Sequence, residues 1–448
     1  MVTPPAGPSS LAPPAPIRAA LHRSVPEPEV LERFLFSAWT FEVAEGRKAE
    51  VLNEAAAALE RLVGLGLKFE RGPRGVRLFD LAEVLNFTIW AGLNSLDPLW
   101  PRINDVGRRM VLGLTTEPTW VLFRLIRTFD VTDAPVGTVL RLRLPAPIED
   151  DSLTDLQIRP LMAPELAETF QRAPGRADVQ VRRRDEPMVE VGYEATFKAW
   201  PTPRPSGGGA ALSDADIELY TRPREGLVQV SAAVQSLAET LSEGAGEPWT
   251  VVRRFWDFFC DRLISGCVVR YDEVDPAAPL DWVLTRGWAD CQLSSALFVG
   301  LCRARRLPSR LVSGYWLYPR MPVHHYWAET WIEGSGWTPF DLLSWGLSFG
   351  GRNPDWRYHF FGRLDPRLKT EHLPRVFNSG GFVRFPGLWR QSARIAEPGA
   401  QTSFHALQTG ALIYSDRTSV TLLGDNVGVQ AKAGPLEPWT VSSPKPKS

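Results

Sequence analysis

Residues 287–315 read GWADCQLSSALFVGLCRARRLPSRLVSGY and contain the most informative feature of the chain, a cysteine at the start of a helical pattern. Apolar residues follow it at the three- and four-residue spacing of an α-helix: Leu293, Leu297, Leu301 and Ala304. Asp290 is a suitable N-cap, which places Cys291 in the first helical turn. Because the positive end of a helix stabilises an anion, we expect the pKa of the Cys291 thiol to fall toward neutrality.

Two shorter segments downstream have the composition of a β-hairpin. Residues 324–334 read HHYWAETWIEG, and strand alternation would place His325, Trp327, Glu329 and Trp331 on one face. The turn Gly334-Ser335-Gly336 precedes a returning strand that ends at Asp341. A simple three-residue hairpin would set Asp341 opposite Glu329, so a stagger or bulge is needed to bring Asp341 to His325. The residues alone do not establish that contact.

A thiol, an imidazole and a carboxylate in this order are the parts of a cysteine-nucleophile acyl-transfer site. Four motifs occur in order: a Cys that opens a helix, LPSRLVSGY at residues 307–315, HYWAE at 325–329 and GWTPFD at 336–341. On these motifs, residues 222–375 resemble the transglutaminase-like superfamily, including its bacterial members. The resemblance implies a papain-like α+β core, in which a helix carrying Cys291 packs on an antiparallel sheet carrying His325 and Asp341. It also implies that His325 accepts the thiol proton while Asp341 orients the imidazole.

Further site residues are suggested around this triad. One oxyanion donor is usually the backbone N–H of the nucleophile, with a side-chain donor from an upstream segment. Tyr271, which sits where the family often has a Tyr, is the preferred candidate, and Trp256 is the other; core aromatic residues are the alternative interpretation of both. Trp288 and Gln292 flank the nucleophile, and Trp327 follows His325, so these three are candidates for the acyl pocket. The family's usual motif is a compact G-D-C, whereas two residues are inserted here before Asp290.

A segment rich in basic and aromatic residues follows Asp341. These side chains either bind an acidic group on the substrate or form a structural cluster in a long loop, and the sequence favours neither: Arg352, Trp356, Arg357, His359, Arg363 and Arg367.

Composition limits the remaining function classes. The chain has 448 residues, which is long enough for two or three domains, and 50 basic against 51 acidic side chains. A net charge of −1 provides no field that would attract nucleic acid or an anionic membrane. Four cysteines without a C-x-x-C pair predict neither a disulfide framework nor a zinc site, and we expect Cys260, Cys267 and Cys302 to be buried thiols. With no export signal or long apolar segment visible, we expect a cytoplasmic protein without cofactor or metal.

The chain divides by composition into five parts. We expect a disordered Pro-rich tail at 1–28, a mainly helical domain at 29–135, a β-rich domain and linker at 136–218, the catalytic core at 219–400, and a strand extension with a disordered tail at 401–448. The helical assignment rests on an apolar stripe at residues 51–63 and an apolar run at 121–129. Strand-like composition occurs at 138–144, 178–183 and 188–198, and helices are predicted at 228–241 and 249–263.

Three function classes follow from these observations. The first is an enzyme that transfers an acyl group from a peptide, protein or small amide to water or to an amine. The second is a non-catalytic interaction module on the same fold. The third, a metal-dependent hydrolase using His324, His325 and Asp341, is disfavoured because adjacent residues of a strand point to opposite faces. The acyl donor, the acceptor and the oligomeric state are not determined by the sequence.

Overall fold

The computed structural model describes residues 24–31, 48–81, 83–84, 87, 117–161, 167–202, 211–226, 228–265, 269, 274–275, 277–319, 322, 324–347, 357–373, 400–405 and 414–423. Among the helices of these residues, none has the length and apolar character needed to cross a membrane.

The N-terminal part combines one long helix with a small sheet. Its elements are β1 (Ser24–Pro26), α1 (Glu27–Glu29), α2 (Lys48–Gly64), β2 (Glu70–Arg71) and β3 (Arg77–Asp80). The apolar stripe at 51–63 is confirmed as helical, and α2 buries Ala55, Leu59 and Leu62. The strands pair antiparallel in the order β1-β3-β2. The prediction of a disordered tail to residue 28 is therefore wrong at its end, because β1 pairs with β3.

The next part is built from six antiparallel strands. They are β4 (Thr119–Asp130), β5 (Val139–Pro145), β6 (Leu153–Leu161), β7 (Ala167–Ala173), β8 (Arg176–Arg182) and β9 (Met188–Ala199). The strands predicted near 138, 178 and 188 are confirmed. The assignment of 121–129 to a helical domain is wrong, since β4 pairs with β9 along its whole length. Val121, Phe123 and Leu125 are fully buried, and Ile126 on the other face is nearly so. Apolar side chains at Leu122 and Ile126 on the other, less buried face break the polar-apolar alternation that marks a strand.

The segment from residue 211 to 373 alternates helices with one sheet. Its elements are α3 (Asp214–Thr221), β10 (Arg224–Glu225), β11 (Val228–Gln229), α4 (Ala232–Leu241), α5 (Pro248–Arg262), β12 (Ile264–Ser265), α6 (Pro279–Arg286), β13 (Trp288–Ala289), α7 (Cys291–Ala304), β14 (Ser309–Trp316), β15 (His324–Ile332), β16 (Gly336–Phe340), α8 (Leu342–Leu347) and β17 (Arg367–His372). The four-stranded sheet has the order β16-β15-β14-β17 and is antiparallel throughout. Helix α7 packs on it, with the rings of Phe298 and Phe340 4.9 Å apart. This is the expected α+β core with a Cys-bearing helix on an antiparallel sheet.

The C-terminal strands return to the β-rich part. They are β18 (Ala400–His405) and β19 (Tyr414–Leu423), and β19 pairs with β4 to give the five-stranded order β18-β19-β4-β9-β6. The larger β-rich sheet therefore takes strands from both sides of the α+β segment in sequence.

Buried contacts join the β-rich part to the four-stranded sheet. The ring of Tyr315 in β14 lies 5.0 Å from that of Phe123 in β4. Lys369 Nζ in β17 lies 2.8 Å from Asp150 Oδ2 and 2.9 Å from Glu329 Oε1. Glu329 is fully buried and accepts two hydrogen bonds from the Arg310 guanidinium at 2.9 and 2.7 Å. A buried charge network thus spans the two parts and braces the strand that carries His325.

Candidate active site

Local sequence places Cys291 at the first position of α7. Gly287 ends α6 in the left-handed conformation at φ 70°, which a glycine adopts at little cost. The short strand β13 follows, and Asp290 then caps α7 by accepting the Leu293 N–H at 2.9 Å. The predicted N-cap and helix are confirmed. Cys291 is partly exposed, whereas the rest of α7 from Gln292 to Arg303 is buried.

The electrostatic surroundings of the thiol differ from the expectation. Burial raises the pKa of the Cys291 thiol well above its ordinary value, and the carboxylates of Asp290 and Asp341 raise it further. The backbone N–H groups of Tyr326 and of Cys291 itself act in the opposite direction without reversing the shift. The predicted fall of this pKa is therefore wrong, because desolvation of the thiolate outweighs the favourable helix terminus. The influence of the Tyr326 N–H places the thiol beside the residue that follows His325.

His325 and Asp341 are in direct contact. His325 Nε2 lies 2.9 Å from Asp341 Oδ2, and the two side chains are 2% and 0% exposed. The hairpin has the same loop length as the simple one considered above, but its loop is shifted by one residue: Ile332 pairs with Gly336, and Glu329 with Pro339. Continued by two residues, this register sets Asp341 opposite Trp327, so the carboxylate reaches His325 diagonally along the same face. Because Nε2 faces the carboxylate, Nδ1 is the nitrogen available to the thiol.

Asp341 is held by more partners than His325. It sits at the start of α8, where its Oδ1 accepts the Ser344 N–H at 2.9 Å and its Oδ2 accepts the Ser344 hydroxyl at 2.5 Å. Arg367 Nη1 also contacts Oδ2. Burial alone would raise the pKa of Asp341, but His325 and Arg367 outweigh it and hold the pKa well below its usual range. The carboxylate is therefore ionised and fixed in one orientation.

Two indole rings enclose the imidazole. The ring centroid of Trp316 is 4.6 Å from that of His325, and the Trp327 ring is stacked at 6.3 Å. Burial lowers the pKa of His325, Asp341 opposes that effect, and Arg367 adds to it, so the net shift is downward. With the thiol pKa raised and the imidazole pKa lowered, the resting pair is a neutral thiol and a neutral imidazole.

A glycine makes room for this arrangement. Gly314 pairs with His325 across the sheet. A Cβ built at Gly314 would overlap the backbone carbonyl oxygen of Leu368 and approach the Trp327 ring to 2.9 Å. Close packing of β17 and Trp327 around His325 therefore requires a residue without a side chain here.

The proposed oxyanion and pocket residues have mixed outcomes. Trp256 is fully buried and donates its indole N–H to the Arg357 carbonyl at 2.8 Å, so it serves the core. Trp327 lines His325, but its N–H donates to Glu329 Oε1 at 3.2 Å. Trp288 is buried beside Trp282, with ring centroids 4.9 Å apart. Gln292 is buried in the first turn of α7. Tyr271 lies outside the described residues and stays a prediction.

The arginines after Asp341 that the structure describes each contact other groups of the chain. Arg357 is paired with Asp257 at 2.9 Å and with Asp261 at 2.7 Å, and Arg363 donates to the His359 carbonyl. Arg367 binds Asp341 rather than facing solvent. Arg352 and Trp356 lie outside the described residues. The contact of Arg367 with Asp341 was missed, because no local pattern joins these two residues. The hydrogen bonds from Ser344 to Asp341 were also missed, although the spacing D-x-x-S at residues 341–344 is an N-cap signal.

The two adjacent histidines lie on opposite faces of β15. His324 packs on the opposite strand face, with ring centroids 5.0 Å from both Tyr315 and Tyr326. Within the part of the chain that the structure describes, no three His, Cys, Asp or Glu side chains are grouped as metal ligands. Cys260 and Cys302 are buried as expected, while Cys267 lies outside the described residues.

Two cavities in the described residues lie away from these groups. One of about 590 Å³ is lined by N-terminal residues such as Glu27, Leu52 and Arg77. The other, of about 370 Å³, lies at the start of α5 around Trp249 and Arg253. Neither is lined by Cys291, His325 or Asp341. The converging titratable side chains mark the candidate site better than cavity size does, because reactive groups with shifted pKa values cluster at functional sites.

Comparison with known proteins gives a family match over this region. Residues 235–342 match the family model described as the transglutaminase-like superfamily, and they contain Cys291, His325 and Asp341. No curated protein matches the chain. A candidate cysteine protease from Cytophaga hutchinsonii is 14% identical, with a TM-score of 0.43 over 69% of this chain and 92% of that one. The periplasmic domain of TgpA from Pseudomonas aeruginosa is 16% identical, with a TM-score of 0.30 over 55% of this chain and 95% of that one.

Red sea bream transglutaminase is 10% identical, with a TM-score of 0.22 over 53% of this chain and 50% of that one. The match to the family model is what assigns the fold of the α+β core. Residues 235–342 of this chain are therefore assigned as a transglutaminase-like domain.

Proposed function

We propose that the protein is a cysteine enzyme that transfers acyl groups through a triad of Cys291, His325 and Asp341. The observation that carries this proposal is the 2.9 Å contact between His325 Nε2 and Asp341 Oδ2, beside the strand residue whose N–H acts on the Cys291 thiol. A thiol, a base and a carboxylate that orients the base are sufficient for nucleophilic acyl transfer.

The first step forms a tetrahedral intermediate. Cys291 Sγ attacks the acyl carbon of a carboxamide, its proton passes to His325 Nδ1, and the carbonyl π electrons move to the oxygen. Because the resting thiol and imidazole are both neutral, proton transfer accompanies the attack rather than preceding it. The Cys291 backbone N–H, at the start of α7, is placed to donate to the developing oxyanion.

The second step releases the amine and the third releases the acyl group. The His325 imidazolium donates its proton to the leaving nitrogen as the C–N bond breaks, which leaves a thioester on Cys291. Asp341 stabilises the imidazolium while it exists. Water or an amine then attacks the thioester, gives its proton to His325, and the departing sulfur recovers that proton. The product is a carboxylic acid with water as acceptor and a new amide with an amine.

The substrate class follows from the chemistry of the site. Cys291 is partly exposed while His325 and Asp341 are buried, so the acyl group approaches from the thiol side. A peptide, a protein or a small amide supplies a suitable carboxamide. The scheme requires no cofactor.

The test is to trap the acyl-enzyme. The full chain is incubated with a library of peptide amides and activated esters, and the mass added to each cysteine is located by peptide mass spectrometry. We expect the acyl group on Cys291, none in Cys291→Ala, and much slower labelling in His325→Ala. Cys302→Ala is the matched control, because Cys302 is a buried thiol of the same helix that the scheme does not use.

Parallel alkylation with iodoacetamide tests reactivity without a substrate. Labelling of Cys291 that is faster than that of Cys260 and Cys302, and that slows in His325→Ala, supports the proposal. Turnover that survives in Cys291→Ala contradicts it. A Cys291 as inert as Cys302, with no acyl adduct, would favour a non-catalytic interaction module on this fold.

A further inference from the structure

Arg367 contacts the same oxygen atom of Asp341 that His325 contacts. It is the first residue of β17 and only 2% exposed. Its Nη1 contacts Asp341 Oδ2, the same oxygen that lies 2.9 Å from His325 Nε2. Its Nη2 donates to Ser344 Oγ at 3.1 Å, so the guanidinium and the hydroxyl both act on that carboxylate.

Arg367 is itself held in place from the other side. Its Nε donates to Asp365 Oδ1 at 3.1 Å, and the other oxygen of Asp365 accepts the Tyr318 hydroxyl at 2.5 Å. The guanidinium also lies 5.4 Å from the centre of the Trp327 ring, which stacks on His325. A buried chain therefore runs from Tyr318 through Asp365 and Arg367 to Asp341.

We propose that Arg367 is a positioning residue of the triad, which fixes the Asp341 carboxylate and competes with His325 for the same oxygen atom. This inference deepens the proposed function, because it concerns how the base of that site is kept ready. Sharing the oxygen limits how strongly Asp341 can stabilise the imidazolium, so His325 rests in the neutral form that can accept a proton.

The charged groups around His325 act with different signs. Burial lowers the pKa of His325, Asp341 and Asp365 oppose that effect, and Arg367 adds to it. Tyr318 faces the same cluster but stays neutral, since burial raises the pKa of its hydroxyl well above the ordinary value. The thiol of Cys291 is also neutral in the resting state, since burial and the Asp290 carboxylate raise its pKa. Arg367 is thus the cation of this set that favours the neutral imidazole.

Two substitutions should move the His325 pKa in opposite directions. Arg367→Gln removes the competing cation, and we expect an increase of about one pKa unit, since a charge within 4–6 Å shifts a pKa by about 1–3 units. Asp365→Asn removes the other carboxylate partner of Arg367, so its guanidinium acts more strongly on Asp341. We expect the pKa of His325 to fall in this variant, by less than it rises in Arg367→Gln. A merely structural role predicts something else: loosened packing would expose His325 and raise its pKa in both variants.

The measurement is an NMR titration of histidine-labelled full-length protein carrying Cys291→Ala, so that the imidazole titrates without the thiol. The chain has six histidines, and the His325 signal is assigned by its loss in His325→Ala. Arg127→Gln is the matched control, because Arg127 forms a buried bidentate pair with Asp416 at 2.6 Å in the β-rich sheet. It should leave the His325 pKa unchanged.

The outcomes separate this inference from the proposed function. A His325 pKa that does not rise in Arg367→Gln, or that rises in Asp365→Asn, overturns the role of Arg367. If Arg367→Gln does not fold, Asp365→Asn and Arg367→Lys still decide: the first should lower the pKa and the second should keep it near that of the parent. Alkylation is measured on protein that retains Cys291 and tests the proposed function independently. If Cys291 is inert in that experiment, the proposed function fails, while the titration result for Arg367 still holds.

Discussion

Replacing Asp341 by Asn changes one charge and almost no volume, and so isolates what the carboxylate does. Asn offers one oxygen and one NH2 group where Asp341 now offers two oxygens to His325, Ser344 and Arg367. The Ser344 N–H needs an acceptor at the Oδ1 position, so we expect the amide oxygen there and the NH2 group at the Oδ2 position, where it faces His325 and leaves Arg367 to Asp365 and Ser344. The imidazole must then accept at Nε2 and carry its proton on Nδ1, which is the wrong tautomer for a base directed at Cys291.

Two magnitudes follow from this substitution. Fixing the wrong tautomer costs about 10⁴-fold in kcat when the Asp of a Ser-His-Asp triad becomes Asn, and we expect a loss of that order here. Removing one partner of a buried ion pair costs about 3–5 kcal/mol, and we expect the lower end because Arg367 keeps Asp365 and Ser344.

The stability loss should depend on pH in a defined direction. The pKa of Asp341 is depressed in the folded protein, so its stabilising effect is fully present above its pKa in the unfolded chain. It disappears as the pH falls through the depressed value in the folded state. The difference between wild type and Asp341→Asn should therefore be constant near pH 5–7 and shrink below about pH 4, close to the unfolded-state pKa of Asp.

The assay combines the rate of acyl-enzyme formation on Cys291 with urea denaturation followed by tryptophan fluorescence. Asp416→Asn is the matched control, because it removes the carboxylate of the buried ion pair between Asp416 and Arg127 and leaves the triad intact. The control should lose comparable stability and keep its acylation rate. Acylation in Asp341→Asn within tenfold of wild type, with the protein folded, would refute the tautomer argument.

Two further perturbations test the nucleophile and the sheet. Asp290→Asn retains an N-cap side chain but removes a carboxylate that raises the pKa of the Cys291 thiol. Cys291 should therefore be alkylated several-fold faster near pH 7, as measured by mass spectrometry. The free energy of unfolding should change by less than about 0.5 kcal/mol. Gly314→Ala would place a methyl group against the Leu368 carbonyl, so urea denaturation should show that the free energy of unfolding falls by about 1–3 kcal/mol or more. In the control Gly246→Ala the new methyl group meets no atom within 4 Å, so the free energy of unfolding should fall much less.

Each of these perturbations has a contradicting result. An alkylation rate in Asp290→Asn equal to that of wild type would show that this carboxylate does not act on the thiol. A Gly314→Ala variant as stable as Gly246→Ala would show that the sheet relaxes around a side chain at Gly314.

Local patterns were sufficient for most elements of the α+β core. Helix α7 and its Asp290 cap follow from periodicity and capping, and the hairpin of β15 and β16 from alternation around a Gly-rich turn. Strand β4 was missed, since apolar Leu122 and Ile126 on its less buried face give an apolar-rich segment that also fits a helix. Its pairing with β19, nearly 290 residues away in sequence, depends on contacts that no local pattern encodes.

The identity and order of the chemical groups follow from the amino-acid sequence alone: the Cys at a helix start, the His on a strand and the Asp after the returning strand. These are local properties, because side-chain type, periodicity and turn residues act over a few positions. The charge states, in contrast, depend on the folded chain, since desolvation raises the Cys291 pKa against the effect of the helix terminus and Arg367 reaches Asp341 from a distant strand. Burial and long-range Coulomb interactions arise from the packed chain as a whole, so their sign becomes visible only when the fold is complete.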